Sequence, residues 1–315
     1  MPVLVSQFQP PTLLRNGHLQ TILPAFLPLR HQTVREHEKL DLADGDFLDL
    51  YWIRSSRKRL AIVSHGLEGS ADALYIRSMS AALKADQWDV LTWNYRGCGA
   101  ETNRLLRSYH SGESNDLRIV TDHAAGTYEE VVLIGFSLGG NITLKYLGEA
   151  SPHHRITRAA AVSAPVDLKG CAQVLDELPT NRFYLHRFLK SLIAKMELKA
   201  RLFPGKLDIT NIRSIRSFRE FDDRYTAPLH GFKDAEDYWA RASSLPHLPK
   251  ITVPALLLNA RNDPFLSEES FPQELAEKHA CLFLEAPASG GHVGFLDGLG
   301  SHHSWAERRI IEFLR

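Results

Sequence analysis

Cysteine is scarce in this chain of 315 residues. Its three thiols, Cys98, Cys171 and Cys281, are odd in number and far apart. A disulfide framework uses an even set, and a zinc cluster needs grouped ligands, so neither is indicated and a reducing compartment fits. Net charge is also lacking, because 37 Lys+Arg balance 37 Asp+Glu. Such a chain has no global field to draw it to nucleic acid or to an anionic membrane. Long apolar runs are missing as well: nothing approaches the roughly 20 residues of a membrane span. Residues Met1 to Gln7 have neither the basic start nor the apolar core of a signal peptide. Internal repeats and low-complexity tracts are absent. A cytosolic globular protein is the expectation. With 44% hydrophobic and 23% charged residues it has material for one large α/β domain or two small ones.

What is present is a rhythm of apolar runs and helical patterns. A hairpin is expected over 33–43 and 47–54, turned at Ala43 to Asp46. Strand runs follow at Leu60–Ser64, Trp88–Asn94, Val131–Phe136 and Ala159–Ser163, with helical patterns over Tyr75–Ala85, Ser114 to Gly126 and Gly139–Ala150 between them. Ser114 is placed to cap its helix, with Asp116 in the first turn. Runs, rather than alternation, imply a mostly parallel sheet covered by helices on both faces. The rhythm stops at Pro165. Up to Pro249 no strand run occurs, and Phe183-Tyr-Leu185, Phe188-Leu189, Leu192-Ile193 and Met196 recur at helical spacing. A helical cap is expected over 165–249. Between Arg182 and Tyr225 stand eleven Lys/Arg against five Asp/Glu, a net +6. A solvated helical face is one meaning of that excess, and weak contact with acidic lipid headgroups is the other. Strand runs resume at Val253–Asn259 and Cys281–Glu285. A helix over Phe271–Lys278 separates them, and an amphipathic helix over His302–Leu314 ends the chain. Residues 1–30 mix apolar and turn-forming residues and should pack on the body as an arm.

One strand runs straight into Gly135-Phe-Ser-Leu-Gly139 and then into a helix. A serine that attacks a carbonyl must be held clear of the chain beside backbone N–H groups, and a tight strand-to-helix turn does this. The G-x-S-x-G pattern in that setting is a nucleophile elbow, so Ser137 is the candidate nucleophile. A serine hydroxyl also needs a base, and the base needs an orienting acid. In an open α/β sheet these gather beyond the carboxyl ends of strands. Asp263 follows the 253–259 run and His292 follows the 281–285 run, 126 and 29 residues along in turn. The order Ser, Asp, His suits a hydrolase of this type. His292 is therefore the candidate general base and Asp263 its orienting acid. Leu138 N–H, at a helix start, and Leu67 N–H, in the loop His65-Gly-Leu-Glu-Gly69, are candidate oxyanion donors.

Other histidines carry less. His18 is either a substrate-lining residue or a hydrogen-bonded member of the arm. His65 reads as a structural histidine, with a lining or second-base role as the alternative, and His110 is a candidate lining residue. Arg96 reads as a loop anchor. His153-His154 and His302-His303 have no companion ligands, so no metal or other cofactor is expected.

Taken as a set, His65-Gly-Leu-Glu-Gly69, Asn94-Tyr-Arg-Gly97, Gly135-Phe-Ser-Leu-Gly-Gly-Asn141, Asn259-Ala-Arg-Asn-Asp-Pro264 and Gly290-Gly-His-Val-Gly294 resemble the α/β-hydrolase superfamily. Asn16-Gly-His-Leu-Gln-Thr21 and Tyr238-Trp239 make the chain similar to the YheT-like branch, grouped with the AB-hydrolase-4 family. The similarity spans nearly the whole chain. It implies a serine hydrolase with carboxylic-ester activity and a triad matching Ser137, Asp263 and His292. Some eukaryotic relatives carry a membrane anchor and act on lipids. Here the chain opens directly on the arm, so no anchor is expected. The H-x-x-x-x-D acyltransferase box of some relatives is missing, since His110 and Asp116 are six apart.

The expected activity is cleavage of short- to medium-chain carboxylic esters of small molecules or lipids through an acyl-enzyme. Acyl transfer or phospholipid remodelling with the same triad is the alternative, and a non-catalytic binding module the third. The sequence leaves the oligomeric state open.

Overall fold

Residues 131–134 are apolar on both sides of the pleat, so their strand needs cover on both faces. The computed structural model describes residues 2–27, 33–149, 151–298 and 304–315. Its strands are β1 (Val3–Leu4), β2 (Glu36–Asp41), β3 (Phe47–Ile53), β4 (Arg59–Ser64), β5 (Asp89–Asn94), β6 (Glu130–Phe136), β7 (Ile156–Val162), β8 (Ala255–Leu258) and β9 (Leu282–Glu285). They form one sheet in the order β1-β9-β8-β7-β6-β4-β5-β3-β2. Only the β2–β3 and β3–β5 pairings are antiparallel. The hairpin expected over 33–54 is β2–β3. β1 is too short to show as a sequence run; its two residues pair with Leu284 and Glu285.

Alternation along each strand divides the core. Val131, Leu133, Ala159 and Leu257 face one cluster, which takes in α3 (Ser114–Ala125) and α4 (Leu138–Glu149). Val132, Ile134, Ala160 and Leu256 face the other, with α2 (Leu74–Ala85) and the terminal helix Trp305–Leu314. Ser114 does not cap α3. It is the first helical residue, and its hydroxyl bonds the Glu149 carboxylate instead. Ala150, His302 and His303 lie outside the described residues.

Between β7 and β8 the described residues contain no strand. The interval holds α5 (Leu168–Glu177), α6 (Arg182–Leu202), short helical turns over 212–229 and the helix Ala235–Ala242. These share a core of their own, including Leu175, Leu189, Phe218, Phe221 and Trp239, and Phe265 from the loop after β8 joins it. Most of the basic excess on this insertion is solvated: Arg182, Arg187, Lys190, Arg201, Lys206, Arg213, Arg216 and Arg219 are exposed. Lys195 and Lys199 turn inward, and Arg213 pairs with Glu197 and Arg219 with Glu236. No helix of the described residues is long and apolar enough to cross a membrane.

Residues 2–27 lie against the sheet edge and its loops. After Asn16 caps α1 (Gly17–Ile22), the fully buried Gln20 amide donates to Leu14 O at 2.7 Å and Leu296 O at 2.9 Å, and accepts from Leu296 N at 2.7 Å.

Candidate active site

Ser137 sits in the one-residue turn between β6 and α4, with φ +53°. That left-handed value is costly for a side-chain-bearing residue and marks an over-determined position. The constraint is visible in its neighbours: a Cβ on Gly135 would fall 2.2 Å from Gly139 O, and one on Gly139 2.5 Å from Ser64 O. Only hydrogen fits at both positions, so strand, turn and helix can cross closely. The Ser137 amide donates to Val162 O at 2.8 Å, which ties the turn to β7.

Asp263 and His292 stand on the loops after β8 and β9. His292 Nε2 is 2.8 Å from Ser137 Oγ, and His292 Nδ1 is 2.9 Å from Asp263 Oδ2 and 3.1 Å from Oδ1. The Asp263 side chain is fully buried and also accepts from Phe265 N at 2.9 Å. This is one continuous hydrogen-bonded line from carboxylate through imidazole to hydroxyl. It can draw a proton off Ser137 while Asp263 holds the imidazole in one tautomer.

Residues with no catalytic motif of their own hold that line in place. His292 N–H donates to Thr21 Oγ1 at 2.9 Å, and Val293 N–H donates to Ser163 Oγ at 2.9 Å. Asn262 Nδ2 donates to Arg15 O at 2.7 Å. The arm thus holds the loops bearing both Asp263 and His292. The only sequence signal for this was the polar cluster Asn16 to Thr21 inside an otherwise apolar arm.

On the opposite side of Ser137 lies the loop after β4. A Cβ on Gly66 would sit 3.0 Å from the Ser137 Cβ, so the loop backbone abuts the serine. Gly66 N–H donates to Tyr75 Oη at 2.8 Å and Glu68 N–H to Tyr109 Oη at 2.9 Å. The amide between them, Leu67 N–H, and the amide of Leu138 donate to no protein acceptor among the described residues. Two free donors beside one hydroxyl are what a developing oxyanion requires, and Leu138 N–H adds the positive end of α4.

Ser137 opens on a cavity with an empty volume of about 1050 Å³, its open mouth included. Most of the lining is apolar, with Leu175, Phe188, Leu192, Phe218 and Phe265 prominent. Asp222 is an exception. Burial pushes its carboxyl up to about 7, against hydrogen bonds from Thr226 Oγ1 at 2.6 Å and Trp239 Nε1 at 2.8 Å.

The remaining histidines separate. His110 lines the cavity, and burial, then Lys145 and Arg107, push its pKa down to about 3, so it is neutral. His65 and His18 are not among the residues that line the cavity, which corrects the lining alternative for both and leaves their structural readings. His65 is fully buried. Its Nδ1–H donates to Gly66 O at 2.8 Å and its Nε2 accepts from Tyr95 N at 3.4 Å, so it braces the loop; burial lowers its pKa to about 4. His18 Nδ1 lies 3.1 Å from Tyr184 Oη and joins α1 to α6. Arg96 anchors a loop, with Nε and Nη2 on Asp116 at 2.7 and 2.8 Å and Nη1 on Asp44 at 2.7 Å.

Among the described residues, His110, Glu113 and His230 bring ligand atoms within 4.8 Å of one another. Gly112 N–H donates to His110 Nδ1 at 3.1 Å, which leaves the ring proton on Nε2, facing Glu113 at 3.5 Å. Glu113 is also engaged by Arg107 at 3.2 Å. A cation there would have to displace that proton beside a guanidinium, so the group does not fit a metal.

Residues 62–299 match the family model described as the alpha/beta hydrolase fold. YheT of Escherichia coli (strain K12), a provisionally named esterase, is 33% identical over 98% of this chain and 93% of its own. Phospholipase ABHD3 of Homo sapiens is 26% identical over 99% of this chain and 79% of its own. Among solved structures, an esterase of Pyrococcus furiosus superposes with TM-score 0.60 at 18% identity, covering 98% of each chain, a likeness of fold. With the family model matched over most of its length and YheT alike from end to end, the chain belongs to the α/β-hydrolase family, on the branch of YheT.

Proposed function

We propose that this chain is a cytosolic serine esterase that hydrolyses carboxylic esters of short to medium acyl chain. The observation that carries the proposal is the Asp263–His292–Ser137 line, with His292 Nε2 2.8 Å from Ser137 Oγ in the lining of a largely apolar cavity. Support comes also from relatives named as an esterase and a phospholipase.

In the proposed reaction Ser137 Oγ attacks the ester carbonyl carbon as His292 Nε2 takes its proton. The negative charge on the carbonyl oxygen is received by the Leu67 and Leu138 amides. Collapse breaks the bond to the alkoxy oxygen, which leaves as the alcohol carrying the proton from His292. The acyl group stays on Ser137 until a water attacks its carbonyl carbon as His292 takes the water's proton; collapse then breaks the bond to Ser137 Oγ, which regains that proton from His292, and the carboxylic acid leaves. Asp263 keeps Nδ1–H of His292 in place and stabilises the imidazolium. No cofactor enters any step. The helical insertion serves as a cap whose Leu and Phe side chains receive the acyl chain. A reducing cytosol suits the three free cysteines.

The test is turnover of p-nitrophenyl acetate, butyrate and hexanoate by wild type and Ser137→Ala. Wild type should favour the longer chains, and the alanine variant should lose about 10⁴–10⁶ in kcat. Equal turnover by both proteins would refute the assignment of Ser137.

A further inference from the structure

The loop that carries Leu67 is gripped by the insertion. Glu68 follows Leu67 with φ +53°, a conformation that needs outside support. Its side chain is 7% exposed and reaches across to α6, where Lys195 Nζ donates to Oε1 at 2.6 Å. Ser191, one turn earlier on α6, donates to Oε2. Tyr109 Oη donates to Oε1 at 2.8 Å while accepting the Glu68 amide at 2.9 Å. Lys195 is 11% exposed on its side chain and also reaches Cys98 Sγ at 3.6 Å. Both Glu68 and Lys195 line the cavity. Burial opposes each charge, yet Lys195 holds the Glu68 carboxyl below its ordinary range, while Cys98 and Glu68 hold the Lys195 ammonium above its own. A buried ion pair adds little net stability, but it fixes one geometry.

We propose that Lys195 is a positioning residue: through Glu68, α6 sets the aim of the Leu67 amide, so the oxyanion site is complete only when the insertion is seated. This rests on the reading of Leu67 as an oxyanion donor and Ser137 as the nucleophile. Lys195 lines the cavity, but its ammonium is held by Glu68 and Cys98, and it acts on the reacting atoms only through Glu68. Its effect should therefore fall on the tetrahedral species and spare the ground state.

The experiment compares wild type, Lys195→Met, Lys195→Arg and the double variant Glu68→Gln/Lys195→Met. It reads kcat and KM on p-nitrophenyl butyrate, and inhibition by a trifluoromethyl ketone of matching chain length, which adds to the serine as an oxyanion. Loss of an oxyanion donor costs about 10²–10³ in kcat, so loss of its aim should cost Lys195→Met about 10–100-fold, with KM held within about twofold. Ketone affinity should fall by a similar factor, and Lys195→Arg, which keeps the charge, should recover most of both. Glu68→Gln/Lys195→Met leaves no uncompensated buried carboxylate and should fold while remaining slow. If Lys195→Met does not fold, the double variant and Ser191→Ala, at an exposed position, carry the test, the latter with a loss of about two- to fivefold. Unchanged kcat per folded molecule, or a lower kcat with unchanged ketone affinity, would overturn the proposal. Ser137→Ala separates the two ideas. If it is inert while the Lys195 and Glu68 variants match wild type, only the latch fails; if it stays active, the esterase reading fails first.

Discussion

The loops at the strand ends and the helices of the insertion line the same cavity, but they are ordered by different means. Ser137, Asp263 and His292 follow β6, β8 and β9, which lie on one side of the sheet with only β7 among them. Their positions are set by main-chain geometry: strand register, a turn at φ +53°, and amides tied to Thr21 and Ser163. The cavity walls come from helices that pack on their own core, through side chains such as Leu175 and Phe218. A backbone-built site tolerates little change, whereas a side-chain-built wall can be recut. The chemistry should therefore fail sharply on substitution in the first region, and selectivity should drift on substitution in the second.

The sharpest break is expected at Asp263. Asp263→Asn keeps the shape but favours the wrong imidazole tautomer, and kcat for p-nitrophenyl butyrate should fall by about 10³–10⁴. A fall below tenfold would mean that Asp263 does not orient His292. Thr21→Val removes the acceptor of the His292 amide and leaves a partly buried N–H unpaired. A loss of about tenfold in kcat with little change in KM is expected. If KM alone rises, the arm serves substrate entry instead.

In the insertion, Leu175→Trp should shorten the cavity without touching the line of three. The hexanoate-to-acetate ratio of kcat/KM should drop by about tenfold while acetate turnover holds. Proportional loss on both esters would place Leu175 outside the acyl path.

Asp222 gives the smallest effect. Its folded pKa, about 7, stands above the ordinary carboxylate value, so the folded state retains a proton that the unfolded chain releases. Stability from this group is present at low pH and is lost as pH rises from about 4 to 7. Asp222→Asn should melt with wild type near pH 4 and above it at pH 8. A wild-type melting temperature that rises over that interval relative to the variant would contradict the burial account.

The same contrast explains what the sequence disclosed. β6 and its elbow were legible because a run of 131–134 followed by Gly-x-Ser-x-Gly has few other structural solutions. Asp263 and His292 were legible because each follows a strand run at the correct edge. Lys195 was hidden: on α6 it is one basic residue among several, and only the fold shows that it turns inward to Glu68. For His18 and His65 the structural reading stands and only the lining alternative falls, because a histidine near a site motif has the same composition whether it faces the cavity or braces the loop beside it. Ser114 misled because a helix-capping residue type was instead recruited by Glu149, from α4. Long-range hydrogen bonds of this kind leave no periodicity to read.

The most direct measurement is labelling by a fluorophosphonate followed by mass spectrometry of the modified peptide. A single adduct on Ser137 is expected, forming at least about 10³-fold more slowly in His292→Ala. An adduct on another residue, or equal labelling rates in the two proteins, would contradict the assignment of Ser137 and His292 as nucleophile and base.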